Sequence, residues 1–436
     1  MIKKLVLVFV AFITIQSYAQ QGTASPYSFY GIGSLKFKGT AENRSMGGLS
    51  IYTDSIHINL RNPASNATEN LASIGFNGES RPVKFTVGGS QSTLNLKSNT
   101  SSDNATSTTF DYLAISIPMG KFGMGLSLLP QTSVGYKLEN TDTDGNLINR
   151  FRGEGGLNKV NLSLGYYLTK GLSVGIDANY NFGNIKNSII EFSYDTDGVI
   201  LQFQSKESNR SDLSGLSLNF GLSYKAKVNK HEFVSGFTFT PESSVSSNNE
   251  RIISTIIINT ATGTEADINS FESDLESQGL KKTDLTLPSK ISFGVGFGQP
   301  RVWFVGAEYT LENTSRFFNP LYSSLTIKYE DASNISLGGF YIPQYNSYTS
   351  YLKRVVYRAG IHYEKSGLNI NNESINEFGI SFGLGLPVGD VFSNANLGFE
   401  IGKRGTTNNN LIQENFVNFQ LSLSLNDRWF QKRKYD

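Results

Sequence analysis

From Asn415 to Leu425 the chain alternates strictly. Val417, Phe419, Leu421, Leu423 and Leu425 fall on one side, Asn418, Gln420, Ser422 and Ser424 on the other, and Trp429-Phe430 follow. A period of two predicts a β-strand, and an apolar face ending in an aromatic pair suits a wall between lipid and a polar lumen. The pattern recurs. A fifth strand sets Leu172, Val174, Ile176, Ala178, Tyr180 and Phe182 against Ser173, Gly175, Asp177, Asn179, Asn181 and Gly183. A sixth alternates from Leu216 to Lys225 and a twelfth from Glu377 to Leu386, and in both the polar face is largely Gly, Ser and Asn.

Short connectors rich in Gly, Lys, Asn or Pro recur at 119–121, 169–171, 227–230, 298–300, 343–352 and 387–390. Longer polar stretches lie between them at about 91–108, 139–156, 195–212, 241–288, 314–330, 365–375 and 404–412. Six short turns interleaved with seven loops require about fourteen strands, with both chain ends on the short-turn side. The predicted fold is therefore all-β, a transmembrane antiparallel β-barrel of the bacterial outer-membrane kind.

The first residues change the picture of where this barrel sits. Lys3-Lys4, the apolar run Leu5–Ile15 and Ser17-Tyr18-Ala19 form the three parts of a secretory signal peptide, so residues 1–19 are expected to be removed. The chain has no Cys, which excludes disulfides and thiolate metal sites in the exported protein. A formal net charge of +1, with both signs mixed along the chain, gives no footprint for nucleic acid. The expected location is the outer membrane of a Gram-negative bacterium.

Small inward residues leave lumen volume for something else to occupy. The candidate is the segment 20–68, which lacks alternation yet carries Tyr27, Phe29, Tyr30, Met46, Ile51 and Tyr52, more apolar than a solvated linker. It reads as a hatch inside the lumen, followed by the barrel over 69–430 and a short basic periplasmic tail, 431–436. Within it, Ser45-Met-Gly-Gly-Leu-Ser-Ile-Tyr52 leads to Asn59-Leu-Arg-Asn62-Pro63-Ala64-Ser65, just before the first strand. This Gly-rich stretch leading to Asn-Pro-Ala, with Gly153-Glu-Gly-Gly156 and the fourteen-strand count, resembles the FadL-type (long-chain fatty acid transport, OMPP1) outer-membrane proteins over nearly the whole mature chain. The ending after Phe430 looks like relatives from the Bacteroidota. The resemblance implies a hatch-filled barrel, passive uptake of hydrophobic compounds and lateral release through the wall.

Several residues are candidates for carrying function. Asn62, Pro63 and Ala64 form the hatch motif. Pro130 falls within the third strand, where it removes one ladder hydrogen bond and marks a kink; the resemblance makes that kink the lateral opening. Ile252, Ile253, Ile256, Ile257 and Phe271, in the longest outer stretch, are candidates for hydrophobic capture or for a small local core. Asp177, Lys225, Glu308, Arg358, His362, Glu377 and Glu400 face inward by strand parity, to guide a polar headgroup or to pair with each other and with hatch residues such as Arg61.

Enzyme chemistry is not expected. Gly171-Leu-Ser173-Val-Gly175 and Gly379-Ile-Ser381-Phe-Gly383 match G-x-S-x-G only because Gly and Ser alternate on an inward face, with no strand-to-helix elbow. His57, His231 and His362 have no metal-site spacing, so neither metal nor cofactor is expected. The expected function is a channel for small hydrophobic compounds, fatty-acid-like or aromatic, with membrane lipid and a hydrophobic ligand as partners. The alternative is a non-transporting barrel subunit of an outer-membrane secretion or barrel-assembly complex, partnered by other outer-membrane proteins.

Overall fold

The computed structural model describes residues 22–54, 56–67, 81–259, 262–320, 327–388 and 393–427. The signal peptide, Thr68, the Trp429-Phe430 pair and the tail 431–436 lie outside the described residues.

Fourteen antiparallel wall strands close on themselves. They are β1 (Val83–Lys97), β2 (Ser102–Met119), β3 (Phe122–Pro130 and Thr132–Thr141), β4 (Leu147–Thr169), β5 (Leu172–Glu191), β6 (Gln204–Val228) and β7 (His231–Thr240 and Ser243–Ile258). The remainder are β8 (Lys282–Leu287 and Lys290–Gln299), β9 (Trp303–Glu312), β10 (Ala332–Tyr341), β11 (Val356–Ile370), β12 (Glu373–Pro387), β13 (Asn394–Arg404) and β14 (Gln413–Asp427). Closure is made by β1 and β14, in register from Val83 opposite Asp427 to Lys97 opposite Gln413. β5 follows the pleat read from its sequence: Ser173, Asp177, Asn179 and Asn181 are buried toward the lumen, whereas Ile176 and Tyr180 are exposed on the lipid side.

The wall rises further outward than the alternation suggests. The stretch 241–288, read from sequence as a loop, is mostly strand: β7 runs to Ile258, Glu265–Glu272 pairs with it as a hairpin, and Lys282–Leu287 returns beside it. Likewise 365–375 is two strands joined at Asn371-Asn372, both at positive φ. Beyond the bilayer neither face needs to be apolar, so the ladder continues while its hydrophobic signature stops.

The outer hairpin is held to the wall by charge. The Glu265 carboxylate accepts from Lys206 Nζ at 2.8 Å and pairs with Arg152 at 2.6 Å. Partial burial works against its ionised form, but the hydrogen bonds and charges of Lys206 and Arg152 outweigh this and hold its pKa below the ordinary 4.5. A folded-state pKa below the unfolded value contributes stability that is present above the unfolded pKa and is lost as pH falls through the folded one. Amide exchange in 265–272 should therefore accelerate on acidification below pH 4.5, and Glu265→Gln should remove that acid dependence.

Candidate functional site

The described part of the N-terminal segment, 22–54 and 56–67, packs against the inward faces of the strands, the place expected for the hatch, and is called the hatch. Its one α-helix, Ala41–Arg44, is capped by Thr40, whose hydroxyl accepts from the Asn43 backbone while the Asn43 side chain reaches back to Thr40. At the motif, Asn62 caps the short 3-10 turn Pro63–Asn66, accepting from Ala64 N–H at 3.0 Å, and its amide donates to Leu222 O at 3.0 Å. Asn66 donates to Ser163 Oγ at 2.7 Å and accepts from Ser116 Oγ at 2.8 Å. Ala64 is fully buried, and a Cβ at Gly175 would collide with Pro63 and Ala64. The motif is thus a compact turn seated on a glycine-lined wall.

Of the charges expected inward by parity, Asp177, Glu308, Arg358, His362, Glu377 and Glu400 are buried and Lys225 is half-buried, and the N-terminal segment meets several of them. Arg61 pairs with Glu308 at 2.7 Å, and Ser50 N–H donates to the same carboxylate at 2.8 Å. Arg44 pairs with Glu400 at 2.7 Å, Asn418 donates to Glu400 at 2.8 Å, and His362 lies 3.2 Å from Glu377 and 3.6 Å from Glu400. Lys225 donates to Thr53 O, Asp177 accepts from Asn219 at 2.8 Å, and Arg358 donates to Asn396 at 3.1 Å. Sequence reasoning missed Glu414, which accepts from Ser25 Oγ, and Arg404, which clamps Glu377. Both lie at strand ends beyond the apolar alternation, and extending the parity count through the polar residues would have found them.

The serines of the two G-x-S-x-G matches also serve the hatch. Ser173 donates to Ala67 O at 2.6 Å, and Ser381 Oγ accepts from Gly47 N–H at 2.8 Å.

Around Pro130 the wall is interrupted. β2 pairs with β3 only from Met119 opposite Phe122 to Leu113 opposite Leu128. Further outward β2 keeps β1, but among the described residues no ladder joins it to Thr132–Thr141. That piece of β3 is paired instead with a two-residue hatch strand, Ser34–Leu35, with Ser34 opposite Ser133 and Leu35 opposite Thr132. Lys36 N–H donates to Gln131 O at 3.0 Å.

A lumen cavity of about 210 Å³ adjoins this pairing, touching Gly33, Ser34, Leu35 and Gln131. Its outer part is lined by Tyr27, Tyr30, Phe317, Tyr329 and Leu368, while Lys38, Arg61, Lys159, Lys290 and Glu312 line it deeper along the wall. Lys290 pairs with Glu312 at 3.2 Å and Arg61 with Glu308, but Lys38 and Lys159 form no ion pair among the described residues. Loss of solvent, and then the neighbouring charges of Lys290 and Lys159, push the Lys38 pKa down to about 7.

The hydrophobic outer-stretch candidates are placed elsewhere. Ile256 is fully buried against Ile190 and Phe192 in a small separate core, with Ile258 beside it. Ile252, Ile253 and Ile257 are half-buried on β7, Phe271 is exposed, and none of them lines the cavity.

A family model described as BamG matches residues 1–436. No curated protein matches the chain. Among solved structures the chain is similar to the toluene transporter TodX of Pseudomonas putida, at 16% identity and a TM-score of 0.58, over 92% of this chain and 100% of that one. It is similar to the toluene transporter TbuX of Ralstonia pickettii, at 13% and 0.56, over 89% and 98%. A Pseudomonas aeruginosa FadL homologue matches at 11% and 0.54, over 90% and 98%. At such identities the likeness is one of fold.

Proposed function

We propose that this chain, which belongs to the BamG family, is an outer-membrane barrel for passive uptake of small hydrophobic compounds, releasing them sideways into the membrane. The observation that carries this reading is a coincidence in space. The wall breaks outward of Leu113 and Leu128, the hatch strand Ser34–Leu35 is paired along the β3 edge of that break, and the same two residues border the lumen cavity. A small displacement of that strand would join cavity to break, and an apolar ligand would pass from lumen to lipid without crossing an aqueous pore. Pro130, which has no N–H to donate, stands where the two pieces of β3 part.

The unpaired Lys38 and Lys159 favour a fatty-acid-like ligand over a neutral aromatic one, because a carboxylate would supply the missing counter-charge. Palmitate binding to the purified barrel tests this. Lys38→Met should weaken it by about tenfold, the worth of one charge-assisted hydrogen bond. In the native protein, affinity should fall as pH rises through about 7, where Lys38 loses its proton, and this dependence should vanish in Lys38→Met. Toluene binding should respond to neither change. Palmitate binding that is indifferent to both would remove the headgroup assignment.

A second reading, a non-transporting barrel subunit of an outer-membrane secretion or barrel-assembly complex, is favoured by how firmly the hatch is tied down. Charged contacts run from Arg44, Arg61 and Ser25 to three separate buried carboxylates. Purification in mild detergent separates the two readings. A stoichiometric lipid-like ligand with no protein partner supports uptake, whereas stable outer-membrane protein partners with no ligand support the subunit.

A further inference from the structure

The lipid-facing wall carries an anomaly that neither uptake nor hatch anchoring uses. Outward residues line up in register across β9 to β14, so one row runs Val305, Gly339, Ala359, Phe382, Phe399, Phe419. Gly339 and Ala359, side by side, are its two small members. The next row toward the short-turn end runs Trp303, Tyr341, Tyr357, Leu384, Leu397, all large. The step leaves a groove of about 870 Å³ lined by Gly339 and Ala359 together with Tyr341, Tyr357, Val305 and Phe382. No hatch residue lines it, so it opens to lipid and not to the lumen.

The groove ends at the periplasmic interface, beneath two connectors. One carries Arg301. The other, 342–355, is the longest connector on this side and carries Lys353 and Arg354, and no carboxylate lies in either. The longer connector is fixed in place: Ile342 N–H donates to Val302 O at 2.7 Å, Gln344 N–H to Lys353 O at 2.8 Å, and Tyr351 hydroxyl to Pro387 O at 3.0 Å. It presents Tyr345, Tyr348, Tyr351 and Leu352 to the surroundings. The Arg301 guanidinium lies over the Tyr345 ring and that of Arg354 over the Tyr351 ring, and the Arg354 Nε has no hydrogen-bond partner. Aromatic side chains at this level mark the headgroup boundary, and cations there attract anionic headgroups.

We infer that this groove and the cations beside it form a binding site for an anionic phospholipid of the periplasmic leaflet, an acyl chain lying over Gly339 and Ala359 and the phosphate facing Arg301, Lys353 and Arg354. The site is independent of whether the barrel transports. Its shape suits a chain, since pockets for drug-sized ligands span roughly 300–1,000 Å³. Its charge selects the headgroup.

Trp303 borders the groove through its neighbour Tyr341 and serves as the reporter. The chain's other tryptophan is removed as Trp429→Phe. The barrel is reconstituted in vesicles of phosphatidylcholine containing a small fraction of brominated phosphatidylglycerol or brominated phosphatidylcholine, and quenching of Trp303 is followed. The expected result is a preference of about tenfold for the anionic lipid. Ala359→Leu, which extends a side chain already lining the groove, should abolish the excess quenching. The combined Arg301→Gln, Lys353→Gln and Arg354→Gln change should leave quenching but remove the preference. Should Ala359→Leu fail to fold, by loss of its heat-modifiable band, the charge variant keeps the test decisive. Equal quenching by both lipids in the unmodified barrel would overturn the site, as would protection of Trp303 from both by a bound protein.

Discussion

Replacing Glu400 by alanine is expected to loosen the hatch without opening the barrel. The Glu400 side chain is about 2% exposed and answers Arg44 from the hatch at 2.7 Å, Asn418 from β14 at 2.8 Å and His362 from β11 at 3.6 Å. Removing it leaves the Arg44 guanidinium facing a lumen with one fewer carboxylate, beside the Phe37 ring. Breaking a buried pair from one side costs about 3–5 kcal/mol. Arg44 is about a quarter exposed, so the low end applies, roughly 3 kcal/mol. Amide exchange over Ala41–Gly48 should accelerate by about two orders of magnitude, because local opening free energies are read directly by exchange. The ladders from β11 to β14 should keep their protection, since no strand pairing involves the Glu400 side chain. A double-mutant cycle with Arg44→Met isolates the pair. Unchanged exchange in the hatch would mean that Thr40, Asn43 and the glycine seats hold it alone.

Those glycine seats explain how much of this fold was legible in the residues. Period-two alternation fixed the strands where one face meets lipid and the other a polar lumen, as in β5, β6, β12 and β14. It also revealed a lumen too thinly filled by its own walls. What it hid was the outer extension of the wall. Ser205, Lys206, Glu207, Asn209 and Arg210 form a ladder with β7, yet no apolar face distinguishes them from loop residues, because the face they bury is polar, as at Asn209. The same silence covered Glu414 and Arg404. The hatch contacts were legible only in part. Parity placed Glu308 and Glu400 inward, but pairing Arg44 with one and Arg61 with the other depends on how an irregular segment threads the barrel, and no periodicity encodes that. The groove at Gly339 and Ala359 was invisible for another reason: it exists only once register sets two small residues from neighbouring strands side by side.

A disulfide between Ser34→Cys and Ser133→Cys is expected to reduce uptake to background when oxidised and to restore it on reduction. The two residues are direct antiparallel partners, which brings their Cβ atoms to about 4.5–5.5 Å, close to disulfide reach. The chain has no cysteine of its own, so no other thiol competes. The cross-link holds the hatch strand on the β3 edge of the break while leaving the wall ladders, the cavity lining and the hatch ion pairs in place. Palmitate binding should therefore survive oxidation while palmitate delivery to the bilayer stops. This separates capture from release, a distinction that Pro130→Ala cannot make, because that change alters the backbone on which both depend. If the oxidised protein delivers palmitate as fast as the reduced one, the route does not run past Ser34–Leu35, whatever the kink at Pro130 does. If neither form delivers any ligand and both retain the same outer-membrane partners, the break is a structural seam and the barrel acts as a subunit. The two failures differ in what co-purifies, so one preparation, oxidised and reduced, decides between a gate and a seam.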